Sequence, residues 1–296
     1  MPLRPMLAVD AVIEKIKYPC IVMPKYDGVR ATVQDEILLG RSLKRIPNKY
    51  CHKLFDTNEC ESLDAELVVG SPTDTNCIQH TTSGVMSIGG EPDVTMHCFD
   101  LLYDGTHRPY HLRLSLVKTR IKVMELPYLK VIPSYTVESL ERLLSIEKTL
   151  LDQGYEGLIV RDPFAMYKHG RSTVREGGLL RIKRFSDSEA EIIRIEEGQT
   201  NLNEATTNEL GLTERATKQE FMLPSGMLGT IIGIDLHSGE EVNISPGKMT
   251  ADEKRYFMAH PDKILGRISK YKFFAVGIKD KPRFPTHQTF RAKEDL

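Results

Sequence analysis

The sequence has no stretch able to cross a membrane as a helix, which takes about 20 consecutive apolar residues; no run here approaches that. Its N-terminus, MPLRPMLAVD, lacks the charged segment followed by an apolar one that marks a secretory leader. Cysteine is scarce: Cys20, Cys51, Cys60, Cys77 and Cys98 are odd in number and show no CxxC spacing. That excludes a disulfide scaffold or a zinc site and suits reduced thiols in an intracellular compartment. Charge of one sign is lacking too. The net charge is −1 over 296 residues, so the total does not signal a polyanionic partner.

The distribution of charge does. Residues 161–185 hold seven Lys or Arg against two acids, and residues 186–220 hold nine acids against three bases. A second basic stretch, RSLKRIPNKYCHK, spans 41–53. Local basic surface can bind phosphates while the whole chain stays near neutral. Solvated faces would give the same counts, so charge alone does not decide.

The reversal near residue 185 marks a domain boundary, giving 1–184 and 185–296. Before it, CIVM, VRATV, SLDAELVVG and EGLIV read as short strands. Residues 137–152 read as an amphipathic helix. Val137, Leu140, Leu144 and Leu151 form its stripe, widened by Leu143, Ile146 and Leu150; Thr136 is the expected cap, with Gly154 just past the end. After 185 the pattern is mainly β: AEIIRIEEG alternates, GMLGTIIGIDLHSGEEVNIS reads as two strands joined at 237–240, and YKFFAVG as another. A helix is predicted from Thr250, with Glu253 placed for a capping box. Several strands and one helix in such a length suit a small barrel such as an OB-fold. The polar segment 198–220 reads as a long loop or flexible hairpin within it.

One short stretch carries chemistry. In MPKYDGVRATV, residues 23–33, Lys25, Asp27, Gly28 and Arg30 lie between two apolar strands. Asp-Gly is a common turn dipeptide, so a surface turn is the plain alternative. A lysine is nucleophilic only as the neutral amine, and its free pKa is ~10.4.

This KxDGxR stretch resembles motif I of the covalent nucleotidyltransferases: ATP-dependent DNA ligases, RNA ligases and mRNA capping enzymes. Further segments resemble that family's motifs in order. They are LLGRSLKRIPN with Arg41, LDAELVVG with Glu66, FDLLYDG with Phe99, EGLIVR with Glu156, LLRIKRF with Arg181 and Lys183, and PRFPTHQTFRAKED with Arg291 and Asp295. TTSGVMS, the YKHGRST segment with Arg171, and PRFP are most similar to the minimal viral ATP-dependent DNA ligases of the Chlorella virus type. Two positions depart from the pattern: Ala65 stands where glycine is usual, and Arg181 where lysine is usual.

The resemblance implies an α+β chain. A nucleotidyltransferase (ATP-grasp-like) domain of antiparallel sheets and helices would be followed by an all-β OB-fold domain, with a DNA-contacting loop or hairpin near 198–220. It implies an ATP-dependent DNA ligase that seals 3′-hydroxyl/5′-phosphate nicks through a lysyl-AMP intermediate and a DNA-adenylate. Lys25 would be the nucleophile, with Lys183 on the α-phosphate and Arg181 beside it. Arg30, Glu66, Phe99, Glu156 and Arg291 would complete the ATP site, Glu66 taking a ribose hydroxyl and Phe99 stacking on adenine. Arg30, Arg41 and Arg171 would meet the 5′-phosphate of the nick. Arg291 and Asp295 would orient pyrophosphate, and Glu156 and Glu66 would hold Mg2+ or Mn2+. Only 24 residues precede Lys25, which argues against the extra domain of NAD-dependent ligases. The expected partner is nicked duplex DNA, closed upon by a monomer, with no membrane involved. An RNA ligase, a capping guanylyltransferase or a catalytically silent OB-containing nucleic-acid-binding protein remain the alternatives.

Overall fold

The computed structural model describes residues 2–102, 107–274 and 282–292. The fold divides into two units, Met1–Lys183 and Arg184–Leu296.

The first unit holds two five-stranded sheets. Its strands are β1 (Val9–Asp10), β2 (Cys20–Pro24), β3 (Val29–Gln34), β4 (Ile37–Gly40), β5 (Leu63–Val69), β6 (Val94–Leu101), β7 (Leu129–Val131), β8 (Tyr135–Val137), β9 (Leu158–Arg161) and β10 (Leu179–Ile182). One sheet runs β1-β10-β9-β2-β8 and the other β4-β3-β5-β6-β7. β2 is buried along its whole length, as an interior strand covered on both faces requires. It ends one residue before Lys25, and β3 opens the second sheet four residues later, so the KYDG turn bridges the two sheets.

Four helices cover these sheets: α1 (Lys49–Phe55), α2 (Cys77–Met86), α3 (Tyr110–Met124) and α4 (Leu140–Asp152). α4 is the helix predicted over 137–152, and it differs in two ways. Its cap is Ser139, whose side chain accepts from the Arg142 N–H, rather than Thr136. Thr136 and Val137 belong to β8, where Val137 pairs with Cys20. The packed stripe is Leu143, Ile146 and Leu150, while Leu140 and Leu144 are exposed. Each such buried side chain contributes roughly 1.5–3 kcal/mol.

The second unit comprises β11 (Ser186–Asn201), β12 (Ala205–Thr207), β13 (Thr213–Arg215), β14 (Met222–Asp235), β15 (Glu241–Ile244), α5 (Ala251–Ala259), β16 (Ile268–Phe274) and β17 (Arg283–Arg291). Its main sheet runs β15-β14-β11-β16-β17, with every pairing antiparallel. The two edges meet: Ser245 N donates to Pro285 O (2.9 Å), and His287 N donates to Ser245 O (3.0 Å). Such closure removes the exposed strand edges and gives the barrel expected of an OB-fold. α5 starts on the predicted Thr250–Glu253 capping box.

Segment 198–220 is largely a hairpin. The β11–β14 ladder continues out to Asn201 opposite Met222, and β12 pairs with β13 beyond it. The strand predicted at YKFFAVG is described through Phe274; residues 275–277 lie outside the described residues. No helix among the described residues is long and apolar enough to cross a membrane.

Candidate active site

Lys25 sits where β2, an interior strand of the first sheet, ends, and its backbone N–H donates to Gly157 O (2.8 Å). This bond brings the EGLIVR segment alongside the KYDG turn. Lys25 Nζ then meets the Glu156 carboxylate, whose second oxygen takes Lys183 Nζ. Glu156 is 2% exposed at its side chain, against 20% for Lys25 and 12% for Lys183. Burial alone would raise the Glu156 carboxyl, but the two ammonium groups hold it below the usual carboxylate range.

Two motif glycines make this approach possible. A Cβ on Gly157 would lie 2.2 Å from Ile182 O, so only glycine lets the end of β10, which leads into Lys183, come this close. A Cβ on Gly28 would lie 2.2 Å from Leu67 O and 2.9 Å from Glu66 Cγ. Gly28 is needed for contact with β5, beyond any preference for a turn.

Lys25 opens onto a cavity of about 180 Å3. Arg30, Arg41, Glu66, Phe99, Arg171 and Arg181 line it, together with apolar Met23, Ile132, Ile159 and Leu179. The structure thus brings these sequence-predicted residues to one place, with Glu156 and Lys183 joined to them through Lys25. An apolar lining beside several cations suits a molecule with a ring system and phosphates.

Arg30 differs from the open fork expected of it. Its Nε and Nη2 donate to both oxygens of buried Asp64 (2.6 and 2.7 Å), and its guanidinium lies 4.5 Å from the Phe99 ring centroid. Arginine's planar fork matches a carboxylate as well as a phosphate, and here it is engaged by the carboxylate. Phe99 is both core and wall: it packs with Met23, Tyr26 and Ile132 while lining the cavity. Arg181 donates to Asp10 Oδ1 (2.6 Å) and Arg171 to Ala8 O (2.8 Å). Partial burial, with the guanidinium groups of Arg171, Arg30 and Arg181 nearby, depresses the Arg41 pKa. Such excess of like charge is relieved by an anion.

Burial pushes the Glu66 carboxyl up to about 7, against the opposing pull of Arg30 and Lys25. Among the described residues no group of three or more His, Cys, Asp or Glu side chains could hold a metal. Magnesium is commonly held by one or two carboxylates, with phosphates and waters completing its shell. Glu156 and Glu66 are carboxylates of the kind such a site uses, and here both Glu156 oxygens are engaged by Lys25 and Lys183.

Arg291 belongs to the second unit, where its Nε donates to Glu189 (3.2 Å). Asp295 lies outside the described residues. Sequence reasoning missed a buried ion network: Asp100 accepts from Arg113 (2.6 and 3.1 Å) and from Arg161, all essentially solvent-free. It also missed Tyr167, whose hydroxyl donates to Asp64 (2.6 Å). Arg161 ends EGLIVR and Tyr167 opens YKHGRST, so the signal lay inside motifs read for other residues.

Comparison with known proteins gives the family. No curated protein matches the chain. Two structures of Chlorella virus DNA ligase-adenylate are similar to it at 28% and 30% identity, each with TM-score 0.56. They cover 98% and 99% of this chain and 100% and 99% of their own. A Lig E DNA ligase, 22% identical, shares the fold at TM-score 0.75, covering 98% of this chain and 100% of its own. A family model described as the ATP dependent DNA ligase domain matches residues 5–183, and the chain belongs to the ATP-dependent DNA ligase family.

Proposed function

We propose that this chain seals 3′-hydroxyl/5′-phosphate nicks in duplex DNA, with Lys25 carrying AMP between ATP and the nick. The observation that carries the reading is the Lys25–Glu156–Lys183 cluster, whose Lys25 lines a cavity with apolar residues and five arginines, Arg30, Arg41, Arg161, Arg171 and Arg181. In the first transfer Lys25 Nζ loses a proton and bonds to the α-phosphorus of ATP, and pyrophosphate leaves. AMP then passes to the 5′-phosphate of the nick. The 3′-hydroxyl attacks that phosphorus, the new phosphodiester forms and AMP leaves. Covalent capture splits one hard condensation into easier transfers.

Roles follow from placement. Glu156 orients the two ammonium groups, and Lys183 would meet the α-phosphate once Lys25 is consumed. Phe99 and Ile159 would flank the base, and Glu66 would take a ribose hydroxyl. Arg41 and Arg171 offer charge to the 5′-phosphate, with Arg181 beside them. Arg30, tied to Asp64, would present its remaining face to a phosphate. Mg2+ or Mn2+ held by Glu156 and Glu66 would offset the charge of the phosphates. Arg291 and Asp295 would act on pyrophosphate from the second unit. The hairpin near 198–220 would help a monomer close around the duplex. Such sealing serves DNA replication, repair and recombination inside a cell.

Labelled ATP or GTP, followed by nicked DNA or nicked RNA, tests the reading. An adduct from ATP that is discharged by nicked DNA is expected. An adduct from GTP alone would make the chain a capping enzyme, discharge by RNA alone an RNA ligase, and no adduct at all a silent binding protein.

A further inference from the structure

Residues 4–8 form an extended segment held along one edge. Leu7 N donates to Gly170 O and Ser172 N donates to Leu7 O, both at 2.8 Å, and His169 Nδ1 lies 3.0 Å from Arg4 O. Successive residues of an extended chain turn their backbone polar groups to opposite edges. Met6 and Ala8 therefore face away from this pairing, and each carbonyl takes an arginine. Arg30 Nη2 donates to Met6 O (3.3 Å), and Arg171 Nη1 donates to Ala8 O (2.8 Å). Both arginines line the cavity.

Tyr167 closes the arrangement. Its hydroxyl accepts from Met6 N (2.9 Å) and donates to Asp64 Oδ2 (2.6 Å), while Asp64 takes the Arg30 fork. Met6, Tyr167, Asp64 and Arg30 thus form a ring of hydrogen bonds that returns to Met6. Tyr167 and Asp64 are buried, so the ring has no water to replace a lost partner.

We propose that residues 6–8, keyed by Tyr167, are a backbone rack that fixes the spacing of Arg30 and Arg171 for the phosphates at a nick. Tyr167 is then a positioning residue, acting through Asp64 on Arg30. The proposal rests on the nick-sealing reading above. Removing the hydroxyl changes no charge and keeps the aromatic side chain, yet leaves Met6 N–H without its partner and Asp64 Oδ2 without the donor that fixes the carboxylate under Arg30.

The test uses the full chain, loaded with AMP, and compares binding to duplexes nicked with a 5′-phosphate or a 5′-hydroxyl. In Tyr167→Phe, affinity for the phosphate nick is expected to fall about tenfold, the scale of one hydrogen bond to a charged group. Affinity for the hydroxyl nick should fall much less. Leu7→Pro, which removes the donor to Gly170 O, should show the same selective loss beyond that of Leu7→Ala, and it carries the test if Tyr167→Phe does not fold. Equal losses on both nicks, or no loss in either variant, would overturn the rack. A wild-type chain that takes no AMP would overturn the nick-sealing reading itself, and the rack with it.

Discussion

The two units treat charge in opposite ways. In the first, carboxylates are taken out of water and met by cations: Asp64 by Arg30, Asp100 by Arg113 and Arg161, and Glu156 by Lys25 and Lys183. In the second, the described ion pairs are exposed, as in Arg194–Glu196, Arg255–Asp252 and Lys263–Asp262, or only half-buried, as in Arg291–Glu189. Among its described residues the one buried carboxylate, Asp235, is met by hydroxyls and backbone N–H groups rather than by a cation. Desolvating ions costs several kcal/mol each, and their attraction often no more than offsets it. A unit that buries this many pairs gains rigidly placed charge more than stability. That is what phosphoryl chemistry needs from a protein, since it proceeds by positioning and electrostatic stabilisation.

The contrast can be broken from its strongest end. Lys25→Ala is expected to abolish AMP capture outright, read as loss of the labelled adduct, with the fold retained. Glu156→Gln removes the charge that holds two ammonium groups together, and should lower the rate of adduct formation by at least about 100-fold, in line with the loss of a preorganised electrostatic group. Asp100→Asn leaves Arg113 and Arg161 buried without a counter-charge, and should cost ~3–5 kcal/mol in denaturant unfolding.

The second unit should respond more gently. Burial would raise the Asp235 carboxyl, but bonds from Ser188, Tyr271 and Ser238 hold it at about 2. A depressed folded pKa gives stability that is present above the unfolded value and is lost as pH falls through the folded one. Unfolding followed by a probe in the second unit should therefore show an acid-sensitive component between about pH 4 and pH 2. Asp235→Asn should remove it. Smallest of all, Arg255→Ala breaks an exposed pair and a weak contact to Met227 Sδ (3.9 Å), and should leave the thermal midpoint nearly where it is.

Much of the site was legible because the motif residues lie at strand ends and turns, where order along the chain is preserved in space. Lys25 follows β2 directly and Glu156 stands two residues before β9, so reading the strands placed both. The capping box at Thr250 was legible because its two partners are three residues apart. The start of α4 was not. Val137 is apolar at helical spacing, yet it is the last buried residue of a strand, and periodicity alone does not separate the two. The Arg30 fork misled for another reason: its partner Asp64 lies 34 residues away, and nothing local shows that the fork is already engaged. Tyr167 reaches Asp64 across 103 residues and Met6 across 161, separations that no local pattern encodes.

The most direct measurement is peptide mapping of the purified chain after incubation with ATP and magnesium. The mass of one AMP on the peptide containing Lys25 is the expected result. An unmodified chain, or AMP on any other side chain, would contradict the assignment of Lys25 as the nucleophile.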